Sequence, residues 1–172
     1  MRLADTAAKY GQIDVVAYLA QKTERLDLYE SLSPGTLYSA CYDSLEHEKK
    51  TALRHDTNAA TNLTPEELNQ AAEQTLQANL AVASRLNQDF PGQGQVVAKR
   101  LHDAAVHALR NNGQNCPDPA RYAEAFLAQA EAMGLEDELL QYSASQGSTI
   151  LVTAQLNRER PADQRIELGQ FD

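Results

Sequence analysis

Tryptophan is absent from this 172-residue chain, and cysteine occurs only twice, at Cys41 and Cys116. With no CxxC pair, neither a zinc ribbon nor a thioredoxin-type redox centre is available. The two thiols read as free and buried, as in a reducing compartment. Eight glycines and six prolines are too few for a collagenous or Pro/Gly-rich low-complexity chain. Long apolar runs are missing as well. The opening Met1-Arg2-Leu3-Ala4-Asp5-Thr6 lacks the apolar stretch of a signal peptide. The stretch Ile150-Leu151-Val152 falls far short of the roughly 20 residues a membrane helix needs. These absences point to a cytoplasmic protein with no membrane span, signal-independent export being left open. Positive charge is also scarce: 15 Lys and Arg stand against 24 Asp and Glu, a formal charge of −9. Such a surface repels phosphate backbones and anionic lipid, and Lys49-Lys50, Lys99-Arg100 and the Arg158/Arg160/Arg165 group are too small to form a basic patch. Nucleic acid and membrane are therefore not the expected partners.

What is present is helix former. Apolar residues make up 42% of the chain and charged residues 23%, ordinary for one soluble globular domain, and Ala, Leu, Gln and Glu dominate. Two short helices are predicted over 2–10 and 13–22, around Gly11, the second with Ile13, Val16, Leu19 and Ala20 at helical spacing. Ser33-Pro34-Gly35 punctuates the chain. A helix from about Thr36 to His55 then carries Leu37, Cys41 and Leu45 at i, i+4, i+8. The polar stretch 56–63 reads as a linker. Thr64-Pro65-Glu66-Glu67 is a helix start: a Thr cap, Pro at the first helical position, and Glu67 placed to close a capping box. That helix carries Leu68, Ala72, Leu76, Leu80, Ala83 and Leu86 and runs to about Gln88, where Phe90-Pro91-Gly92 ends it. The next helix spans 94–111 with Val97, Leu101, Ala104, Ala105 and Ala108 inward, and Asn112-Gly113 stops it. Two long amphipathic helices across so short a loop form an antiparallel αα-hairpin. Asp118-Pro119 opens a further helix ending before Gly134, and residues 136–146 form another. The segment 148–157 has strand-like composition but no partner strand, so helix is favoured. Beyond Pro161 the tail is polar, frayed or docked through Ile166, Leu168 and Phe171.

The fold class expected is all-α: a helical bundle (64–147) built on the long αα-hairpin, with a short-helix N-terminal part (1–56) and a C-terminal segment (148–172). The stretch Ala7-Ala8-Lys9-Tyr10-Gly11-Gln12-Ile13-Asp14-Val15-Val16-Ala17-Tyr18-Leu19 resembles the helix–turn–helix of one ankyrin repeat. Leu3-Ala4-Asp5-Thr6 stands where that repeat opens with Thr-Pro-Leu-His, and no second copy follows at the roughly 33-residue period of an array. What the resemblance implies is a tight helix pair over residues 7–19, not a repeat protein.

Catalytic motifs fail one by one. His47-Glu48-Lys49-Lys50-Thr51 starts like HExxH but has Thr51 at the second ligand position. None of His47, His55, His102 or His107 has a Glu three residues before it, as a diiron bundle needs. No GxSxG, P-loop or GxGxxG occurs. The expectation is no metal, no cofactor and no catalytic residue. The alternative reading is a small α-helical enzyme using His102, Asp103 and His107 in a polar cleft between helices. Five of the seven tyrosines fall in the first quarter, at Tyr10, Tyr18, Tyr29, Tyr38 and Tyr42. Tyrosine offers a large rigid area with a polar tip and is favoured at interfaces. The sequence thus reads as a non-enzymatic, acidic protein–protein interaction module of adaptor, chaperone or secreted-effector type. It would bind another protein, or itself, through a Tyr/Leu-bearing surface of Tyr38, Tyr42, Leu45 and Tyr18. On this reading, Tyr38→Ala combined with Tyr42→Ala weakens partner capture in a pull-down while helicity by circular dichroism is kept; capture at the wild-type level contradicts it.

Overall fold

Three helices begin in the same way, with a side-chain acceptor followed by proline. A computed structural model describes residues 2–56, 58, 60–111 and 116–168. Within it, Ser33 accepts from the Thr36 N–H at 3.2 Å, Thr64 from Glu67 at 3.2 Å, and Asp118 from Arg121 at 3.1 Å. In each case the proline occupies the first turn, where its missing N–H costs nothing and its fixed φ suits the helix. The helix expected from Thr36 therefore starts earlier. Ser33-Pro34 is its cap and first residue, not only a break before it.

The described residues are all helix and connection, with no strand. The α-helices are α1 (Arg2–Lys9), α2 (Ile13–Thr23), α3 (Pro34–Ala52), α4 (Pro65–Asp89), α5 (Gly94–Val106), α6 (Pro119–Ala132), α7 (Glu136–Ser145) and α8 (Ile150–Arg158). Short 3-10 segments cover Leu26–Ser31 and Ala162–Gln164. The ambiguous stretch after Ser148 is helical, as α8. The helix expected over 94–111 is regular α only to Val106, after which a wider π turn spans His107–Asn111. Its expected stop at Asn112-Gly113, positions 57 and 59 of the linker, and Phe171 in the tail lie outside the described residues.

Packing centres on α4. Of its expected stripe, Ala72, Leu76, Ala83 and Leu86 are buried while Leu68 and Leu80 are half-buried, and a second line one step round the helix, Ala71, Thr75, Asn79 and Val82, is buried as well. The two lines together cover an arc of roughly 140°. α4 accordingly has neighbours on several sides: α3 most extensively, then α5, α2 and α6. The α4–α5 hairpin is present, yet α5 also lies along α7. One cluster of buried apolar side chains runs from Ala4 of α1 through Leu37, Leu76, Leu101, Phe126 and Leu139 to Ile150 of α8.

Polar ties hold the edges of this cluster. Asp89 at the end of α4 accepts from Arg85 Nε at 2.9 Å and from the Tyr29 hydroxyl at 3.3 Å, anchoring the first 3-10 segment. Arg121 of α6 pairs with Glu73 of α4, and Arg158 of α8 with Glu124 and Glu131 of α6. Partly exposed pairs of this kind contribute about 0–1 kcal/mol each, so they orient helices more than they stabilise them. The tail docks through the Asn157 amide, which donates to the Ile166 carbonyl at 2.8 Å and accepts from its N–H at 3.0 Å, with Leu168 buried beyond.

The capping box at α4 is complete: the Thr64 N–H donates back to Glu67 Oε1 at 3.0 Å, and Lys49 of α3 reaches the same carboxylate at 2.7 Å. Thr64→Ala should therefore lower the unfolding free energy by about 1 kcal/mol in urea titrations with unchanged slope. An unaltered midpoint contradicts this reading of the cap.

Candidate functional site

The exposed tyrosines belong to the first helix pair. α1 buries Ala4, Ala7 and Ala8, and α2 buries Val16, Ala17 and Ala20. Between them the chain turns at Gly11, whose φ of +68° favours a residue without Cβ. A Cβ at Gly11 would stand 3.3 Å from that of Ala40, so the turn is pressed against α3. Small inward residues let the two short helices seat closely, and their larger apolar side chains are left outside. Leu3, Tyr10, Val15 and Tyr18 are all exposed, Tyr10 at 69% and Tyr18 at 58%. Val15 and Tyr18 are three apart and so adjoin on one face of α2; Leu3 lies on α1 and Tyr10 in the turn that follows it. Among the described residues one other large apolar side chain is exposed, Leu156 on α8.

The four residues expected to form one partner surface are not brought together. Tyr18 is exposed on α2. Leu45 is 7% exposed and turned into the protein, so it has little area to offer a partner. Tyr38 and Tyr42 are half-buried, with ring centroids 6.3 Å apart, and Tyr38 also stands 6.2 Å from the His107 ring. Both tyrosines lie two residues from Ala40, roughly 200° around α3. Ala40 faces the Gly11 turn, so Tyr38 and Tyr42 occupy the far side of α3 from the first helix pair. Leu3 and Val15 were missed by periodicity because they fall outside the inward stripe, and a lone outward apolar residue carries no periodic signal.

His102, Asp103 and His107 diverge. His102 is buried in the α5–α7 interface, where its Nδ1 lies 2.9 Å from the hydroxyl of fully buried Ser143 and its ring meets Tyr142 edge-on at 5.1 Å. Asp103 turns outward to Lys99 at 3.0 Å. His107 opens the π turn and stands beside Tyr38 and Gly35, at the first turn of α3. Cys41 and Cys116 are both free and half-buried, and desolvation raises both thiols above their ordinary pKa, which keeps them protonated and weakly nucleophilic at neutral pH. Among the described residues no three His, Cys, Asp or Glu side chains are grouped as a metal site would require, and no helix is long and apolar enough to cross a membrane.

Comparison with family models, with curated proteins and with solved structures finds no match to this chain. The residues themselves therefore carry the functional argument.

His102 gives a pH signature. Burial holds its imidazole below the ordinary value of 6.5, Arg110 and Lys99 add to that, and Asp103 opposes it. Burial lowers His107 as well. A base with a depressed folded-state pKa stabilises the fold fully above its unfolded pKa. That contribution is lost as pH falls from there toward the folded value, because the unfolded chain takes up the proton first. The melting temperature should drop between about pH 7.5 and about pH 5.5, and His102→Gln should flatten the drop. A variant that keeps the full slope contradicts this assignment.

Proposed function

We propose that this chain is a non-enzymatic protein-interaction module, docking a partner through the apolar side chains that α1 and α2 turn to solvent. The observation that carries the reading is their placement: four of the five exposed large apolar side chains among the described residues lie within residues 3–18. Tyr10 and Tyr18 have the character of interface anchors, a rigid ring with a polar tip that loses little conformational entropy on contact. Neither tyrosine nor Leu3 nor Val15 is needed to fill the core beneath, which alanines and Val16 supply.

Charge selects the kind of partner. A net −9 makes association of two copies repulsive and raises the encounter rate with a basic protein. The partner is accordingly a different protein with an apolar patch set in a basic surface. Tyr38 and Tyr42, half-buried across α3, serve as a second face rather than as part of this one.

Sedimentation should show a monomer. In native cells, a photo-crosslinking residue in place of Tyr18 should yield a discrete adduct that the same residue in place of exposed Asp137 does not. Tyr10→Ser with Tyr18→Ser should abolish that partner's co-purification and leave the melting temperature nearly unchanged, since both side chains are exposed. Retention of every co-purifying protein by the folded double variant overturns the reading. Loss through Tyr38→Ala and Tyr42→Ala alone would move the site to the other face of α3.

A further inference from the structure

A cavity of about 550 Å³ lies between the Leu26–Ser31 segment, the start of α3, the end of α4, α5 and α7, and none of its lining residues belongs to α1 or α2. Its size falls in the range of small-molecule sites. Leu26, Tyr29, Pro34, Leu86 and Val96 give it apolar walls. The Tyr29 wall is fixed at both ends: its hydroxyl bonds Asp89 at 3.3 Å and its ring meets Phe90 edge-on at 6.2 Å.

Arg100 lines this cavity and is the anomaly in it. Arg25, Arg85, Arg121 and Arg158 each pair with a carboxylate. Arg100 has an amide instead: its Nη2 donates to Asn79 Oδ1 at 3.2 Å, and its Nε is buried with no partner. Asn79 is neutral and supplies no counter-charge, and its NH₂ group, a donor, bonds the Thr75 carbonyl at 3.0 Å. Nearby Asp103 is taken up by Lys99 at 3.0 Å, and Glu30 sits exposed at the rim. Desolvation lowers the Arg100 pKa to about 10, which leaves it cationic at neutral pH. Asp103 opposes that shift but is bonded to Lys99, and a desolvated cation with a buried unpartnered Nε–H and no carboxylate of its own is costly; it becomes favourable once an anion reaches it.

We propose that this cavity binds a small amphipathic monocarboxylate, its carboxylate on the Arg100 guanidinium and its apolar body against Leu26, Leu86 and Val96. One charge is the match, since Arg100 is the one cation of the lining with no carboxylate bonded to it, Lys99 being held by Asp103 while Glu30 is exposed to solvent. Carboxylate is the match in shape, because a planar guanidinium fork presents paired donors to two coplanar oxygens. The apolar walls exclude a bare inorganic anion, which gains nothing from them.

Titration calorimetry with octanoate, and with neutral octanamide of the same shape, tests this on the full chain. Octanoate should bind saturably at one site, and octanamide at least about tenfold more weakly, the usual loss for a hydrogen bond to a charged group. Arg100→Met, which keeps the apolar stem, should weaken octanoate by a similar factor, and octanoate should shift the Arg100 Nε–H resonance in the wild-type protein. Should that variant fail to fold, the octanoate-to-octanamide ratio on the wild type decides alone. No saturable binding of octanoate, equal affinity for octanamide, or undiminished affinity in folded Arg100→Met overturns the proposal.

Discussion

The burial of α4 along two adjacent lines is the constraint on which the rest of the molecule depends. A helix buried along one line needs one neighbour. A helix buried along Ala72/Leu76/Ala83/Leu86 and along Ala71/Thr75/Asn79/Val82 needs several, and α2, α3, α5 and α6 supply them. The small residues in both lines let those neighbours come close, and large side chains from the other helices fill what is left: Leu37, Leu101, Phe126 and Leu127. Deleting one such side chain would cost about 2–5 kcal/mol, a large part of what a domain of this size has to lose.

Against that economy two features stand out because folding does not require them. The outward side chains of α1 and α2 are apolar where polar ones would serve as well. The guanidinium of Arg100 is desolvated where a methionine would pack without a charge to satisfy. Departures from the rules that the rest of a structure obeys gather where a protein meets something else. The two lie in different places and invite different occupants, a protein surface in one case and a small anion in the other. Neither depends on the other being right.

Legibility in the sequence followed the physical signal each element carries. The start of α4 was readable because cap, proline and Glu67 all act within four residues. The start of α3 uses the same chemistry but lacks a Glu to close a box, so Ser33-Pro34-Gly35 looked like a break. The all-α class and the α1–α2 turn at Gly11 followed from spacing and composition. Polar residues in the interior were invisible to apolar periodicity. Thr75 and Asn79 complete the second buried line of α4 by bonding carbonyls one turn back, at 2.7 and 3.0 Å. Ser143 and His102 satisfy each other between α5 and α7, a contact no local pattern announces. For the same reason the tyrosines looked like one group: they cluster in sequence, while the rotation of α3 sends Tyr38 and Tyr42 away from Tyr18.

Native-state hydrogen exchange tests the role of α4 most directly. If α4 is the shared wall of one core, its central amides, from about Leu76 to Leu86, exchange only through global unfolding. The slowest amides of α2 and α6 then report the same free energy as those of α4. Two distinct unfolding free energies, one for α1–α3 and one for α5–α8, with α4 following only one of them, would contradict the account.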